Sequence, residues 1–113
     1  MNTAVIDPIV FREISELMDD SLPVFIQTYL DNTLNLLAQL TQTVLTGDKE
    51  AIFHDAHQLK GGSGSIGAMQ VCNIAEQMEV IAKGSDGVAQ LSELLVELKD
   101  AFVAVEAELK VHL

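Results

Sequence analysis

Long runs of this chain carry an apolar residue at every third or fourth position, and the breaks between the runs are too short for anything but a sharp reversal. Ser21 and Pro23 open a segment in which Ile26, Leu30, Leu34, Leu37, Leu40 and Val44 form one stripe, and Gly47 stops it. That spacing is the period of an α-helix that buries one face. Asp48 then caps a segment that turns Ile52, Ala56 and Leu59 inward and runs without a turn signal into a cluster of glycines. A further segment begins near Gly67 or Ala68 and holds Val71, Cys72, Ala75, Met78 and Ala82 on one side until Lys83, Gly84 and Ser85, where a basic residue and a C-cap glycine close it. From Asp86 onward Val88, Leu91, Leu94, Leu95, Leu98, Phe102 and Val105 make the last stripe. Helices joined by so few residues lie antiparallel, as in a bundle. Ahead of them, Asp7 and Pro8 read as an N-cap followed by proline at the first helical position. Ile9, Val10, Ile14 and Leu17 then predict a short helix ending near Asp19. The expected class is all-α, and residues 1–113 are expected to form one domain.

Charge narrows the function. Six Lys and Arg stand against 17 Asp and Glu, a formal net charge of -11, so the summed field repels phosphate backbones and anionic lipid. Nucleic acid and membrane surfaces are excluded as expected partners. No apolar run approaches the ~20 residues of a membrane span, and Met1 to Pro8 lack the basic start and apolar core of a leader, which gives a cytoplasmic reading. The single Cys72 has no intrachain disulfide partner and, among Val71, Ile74 and Ala75, reads as a buried helical thiol.

The segment AHQLKGGSGSIGA, Ala56 to Ala68, is where the helical pattern meets residues that disfavour helix. Gly62-Ser63-Gly64-Ser65-Ile66-Gly67 matches the dinucleotide-binding string G-x-G-x-x-G. That motif requires a preceding strand, whereas Asp48 to Leu59 has helical periodicity, so the match is accidental. If the helix instead continues through Gly64, positions three, four and seven beyond His57 share its face, which sets Lys60, Gly61 and Gly64 beside the imidazole. Each interior glycine costs a helix about 1 kcal/mol relative to alanine, and the return is steric access for a bulky reacting group. Neutral imidazole is a nucleophile near neutral pH, a phosphoryl group on its nitrogen carries negative charge, and Lys60 one turn on is placed to neutralise it.

These residues, His57, Leu59, Lys60, Gly61, Ser63 and Gly67 preceded by Ala56, resemble the signature of histidine phosphotransfer (HPt) domains, and the order of helices resembles that family across nearly the whole chain. The resemblance implies an antiparallel four-helix bundle with an additional short N-terminal helix, acting as a monomeric phosphorelay carrier. Its implied partners are response-regulator receiver domains and a hybrid sensor kinase. Carried over by position, His57 is the phosphoacceptor through Nε2, Lys60 stabilises the phosphate, and Gly61 and Gly64 give steric access. Ser63 has two readings, back-bonding the carbonyl of Leu59 or hydrating the phosphoryl group. Some family members bind the other imidazole nitrogen with a glutamine on the following helix; here the corresponding position is Glu79, whose carboxylate would orient the ring. The implied chain has no cofactor of its own, and Mg2+ belongs to the partner receiver. HPt domains dock receivers through an apolar patch around the histidine, for which Phe25, Tyr29, Leu36 and Phe53 are candidates, with His54 on the rim.

Two other classes remain open at this level. A degenerate docking module would bind a receiver without phosphotransfer. A metal-dependent phosphohydrolase would join His54 and His57 to Asp55 or Asp48, with His112 as the remaining histidine.

Overall fold

The computed structural model describes residues 4–113; residues 1–3, the start of the stretch read above for a leader, lie outside the described residues. Asp7 caps the first helix, α1 (Pro8–Met18), its carboxylate accepting from the amides of Ile9 at 2.9 Å and Val10 at 3.3 Å. Asp19, at φ +48°, ends it, and a single 3-10 turn leads into α2 (Leu22–Thr46). Gly47 terminates α2 in the left-handed conformation at φ +74°, and Asp48 at once caps α3 (Lys49–Ile66) through the amide of Ala51. Gly67 and Ala68 form the turn into α4 (Met69–Lys83), and a second 3-10 turn, Val88–Gln90, precedes α5 (Leu91–Lys110). The described residues contain helices and no strand.

α2, α3, α4 and α5 pack each against its chain neighbour, and α5 closes the bundle against α2, while α1 lies across α2 and α3. The core follows the predicted stripes: Ile26, Leu30, Leu40, Ile52, Leu59, Val71, Met78, Leu98 and Val105 are almost wholly enclosed. Burying one such side chain is worth about 1.5–3 kcal/mol, which offsets the helix-weakening glycines in α3. The most extensive contact is between α3 and α4, where Ala56, Ala68 and Ala75 are fully buried and small residues let the helix axes approach.

Rotation about the helix axes alters several expectations. Leu34 is 47% exposed, while Thr33 beside it is buried; Leu34 stands ~100° from the middle of the inward face of α2, at the margin of what the bundle covers. On α1, Ile9 and Leu17 face solvent, and only Phe11 packs against the core. Gly84 is the residue after α4 but has extended backbone, and the left-handed residue of that connection is Gly87 at φ +85°. Lys49 at the start of α3 reaches across to the carbonyl of Gly84. Val88 is 45% exposed because it sits in the 3-10 turn before α5 begins.

Candidate functional site

The two-residue turn at Gly67 and Ala68 sets the register of the site. His57 on α3 and Glu79 on α4 stand eleven residues either side of Ala68, so an antiparallel pair brings them to the same level. The same symmetry sets Phe53 opposite Lys83 and Gly64 opposite Cys72, and both of those contacts are present.

Glu79 is buried, yet its carboxylate emerges between two groups of α3. Oε2 lies 2.5 Å from Nδ1 of His57, and Oε1 lies 2.6 Å from Nζ of Lys60. The ammonium of Lys60 first, and the hydrogen bond with His57 after it, hold the Glu79 carboxyl below the usual carboxylate range, against partial burial that pushes it up. In return the carboxylate raises the Lys60 ammonium above its ordinary value. The His57 side chain is 61% exposed, and its Nε2 has no hydrogen-bond partner among the described residues. With the carboxylate on Nδ1, the proton of the neutral ring sits on that nitrogen and the lone pair on Nε2.

The face beside the ring is open. A Cβ on Gly61 would meet nothing within 4 Å. Gly64 is different: a Cβ there would lie 3.5 Å from Sγ of Cys72. Two turns beyond His57, it stands on the side of α3 that faces α4, where a Cβ would make ordinary contact with Cys72. Cys72 is accordingly half-buried at the edge of α4 and not enclosed as predicted, and burial pushes its thiol up.

Ser63 neither bonds the carbonyl of Leu59 nor faces the ring. It is fully buried, and its hydroxyl shares a 2.8 Å hydrogen bond with the Tyr29 hydroxyl of α2. Burial raises the Tyr29 phenol, so the pair is an uncharged tie within the core. Tyr29 is therefore a core residue, while Phe25 and Leu36 are half-buried along a groove of about 560 Å³ between α2 and α3.

Phe53, one turn before His57, stacks on the imidazole with centroids 5.9 Å apart and planes 21° from parallel. Nζ of Lys83 lies 5.5 Å from the centre of the Phe53 ring, a cation-π distance. Lys83 had read only as the basic end of α4; the antiparallel register is what carries it to the site.

The histidine and aspartate pairs weighed for a metal are scattered. His54 is exposed and packs edge-on to Phe53, Asp55 turns to Thr43 of α2, Asp48 caps α3, and His112 packs at a tilt against Phe11. Among the described residues no group of three or more His, Cys, Asp or Glu side chains is placed to hold a metal ion. Among the same residues no helix is long and apolar enough to cross a membrane.

An open imidazole nitrogen, a carboxylate behind it and an ammonium beside it stand together, an arrangement with the chemistry a nucleophile needs to meet an anionic group. A model of the Hpt domain family matches residues 24–108. The chain belongs to the Hpt domain family. The crystal structure of histidine-containing phosphotransfer protein B from Pseudomonas aeruginosa PAO1 is similar over 98% of this chain and 96% of that one, with a TM-score of 0.93 and 25% sequence identity. No curated protein sequence matches this chain. Membership of the Hpt domain family gives the chain a histidine phosphotransfer role in a phosphorelay and the helical Hpt fold.

Proposed function

We infer that this Hpt domain carries a phosphoryl group on Nε2 of His57, taking it from the phosphoaspartate of one receiver domain and delivering it to the aspartate of another. The observation that carries the reading is the exposed imidazole whose Nδ1 is engaged by Glu79, which leaves Nε2 as the accessible nucleophile. Lys60, within one turn, supplies positive charge for the phosphoryl oxygens, and Gly61 leaves room for the partner's loops. Mg2+ belongs to the receiver in this scheme and neutralises the phosphoryl oxygens there.

The groove between α2 and α3 supports receiver docking. It runs beside His57 along Gln58 and Gly62, with Phe25 and Leu36 as its apolar wall, and none of the residues lining it is charged although the chain as a whole is strongly acidic. A receiver face with apolar and neutral polar residues meets no repulsion there. In this reading the carrier is a monomer, a single domain of the cytoplasm, and a hybrid sensor kinase stands upstream.

The test is incubation with a phosphorylated receiver. The chain takes up a label that is acid-labile and alkali-stable, and His57→Ala abolishes it. A label that persists in that variant assigns the acceptor elsewhere, to His54 first.

A further inference from the structure

Glu79 is bonded to two cationic or protonated groups at once, and only one of them is needed to orient a ring. Its carboxylate is ionised beside Lys60, so it places a full negative charge on the nitrogen opposite the one that reacts. A neutral carboxamide there would orient the ring equally well by accepting the same hydrogen bond, without the charge.

The charge matters because of what transfer does to the imidazole. The Nε2 lone pair forms the N–P bond as the P–O bond to the receiver aspartate breaks, and the aspartate leaves as a carboxylate with that electron pair. No proton moves, so the ring, still carrying hydrogen on Nδ1, becomes a cation. Onward transfer reverses the bookkeeping: an aspartate oxygen attacks phosphorus, the N–P electrons return to Nε2, and the ring is neutral again. A phosphorylated ring that loses its Nδ1 proton in between would have to expel an imidazolide anion, a far poorer leaving group.

On the reading of His57 as phosphoacceptor, we propose that Glu79 is a positioning residue that keeps the Nδ1 proton on the phosphorylated ring, so that the phosphoryl group stays transferable across neutral and mildly alkaline pH. Other charges face the ring. Lys60 on α3 and Lys83 above Phe53 oppose retention of a cation, Glu76 near Lys60 favours it, and His54 on α3 is exposed one turn away. The groove side contributed by α2 is uncharged. Glu79 is the charge in direct contact at 2.5 Å, from a buried position, where a charge is screened least.

The experiment phosphorylates the full chain with phosphoramidate, a small-molecule donor that needs no receiver. The 31P resonance of the phosphohistidine is then followed as a function of pH. In the folded protein the titration midpoint is expected to lie above that of the same phosphoprotein unfolded in urea, and Glu79→Gln is expected to lower it by about one pH unit or more. Transfer to a receiver should then fall off at lower pH in the variant than in the native chain. A folded midpoint at or below the unfolded one overturns the proposal. So does a folded Glu79→Gln protein with an unchanged midpoint. If the variant does not fold, the folded-against-unfolded comparison of the native chain decides alone. Failure of His57 to take the phosphoryl group at all would instead count against the acceptor assignment.

Discussion

The hydroxyls of Tyr29 and Ser63 meet at 2.8 Å in the interior, joining α2 to α3 directly behind the glycine-rich turn of the helix that bears His57. Deleting Ser63 takes away the first partner of the phenol and leaves it only the Thr33 hydroxyl. Ser63→Ala should therefore cost about 1 kcal/mol of stability, whereas Tyr29→Phe combined with Ser63→Ala should recover part of that loss. Urea denaturation of the two single variants and the double variant measures the coupling. A loss in Ser63→Ala that the second substitution does not relieve would contradict the tie.

Gly61 and Gly67 make opposite forecasts for the same substitution. Gly61 is helical with open space around it, so Gly61→Ala should raise stability by about 0.5–1 kcal/mol while, on the proposed function, putting a methyl group in the path of the receiver and slowing transfer to His57. Gly67 has φ +91°, and a Cβ there would stand 3.1 Å from the carbonyl oxygen of Asp7. Gly67→Ala should destabilise by more than the ~1–2 kcal/mol of a left-handed residue alone. Thermal melting separates the signs, and hydrogen exchange at the amides of Ile9 and Val10 should quicken in the second variant only.

Asp55 gives a pH signature. Burial raises its carboxyl above the ordinary aspartate value, with the Thr43 hydroxyl opposing the shift. A folded state that holds this proton more tightly than the unfolded chain loses stability as pH rises from about 3.9, the unfolded value, through the folded one. Asp55→Asn should therefore raise the urea midpoint at neutral pH, with the advantage shrinking as pH falls through the raised folded value and levelling off below about 3.9. An advantage of equal size at both ends would show that ionisation of Asp55 is irrelevant to the fold.

Much of this architecture is written locally. Asp7 with Pro8, Gly47 with Asp48 and the stripes of α2 and α5 are signals confined to a few residues, and each acts where those residues stand. Glu79 is identified through the family resemblance, from the position of a glutamine on the following helix, and the short turn at Ala68 is what brings it level with His57. What local pattern does not carry is the rotation of each helix about its axis. That rotation exposes Leu34, brings Ser63 to Tyr29, and turns Gly64 onto Cys72 when its spacing from His57 suggested a cleared approach. Lys60 illustrates the same limit: its position beside the histidine was legible, but its ion pair with Glu79 depends on α4.

The amide of Asp7 donates to the carbonyl of Gly67 at 2.8 Å, and Ile6 beside it is buried in the core. The peptide before α1 is thus fastened to the far end of the very helix that presents the imidazole, although the family match starts only at residue 24. Excising the unit at that boundary for transplantation into another signalling chain would unfasten the α3–α4 corner, so a portable version must begin no later than Val5.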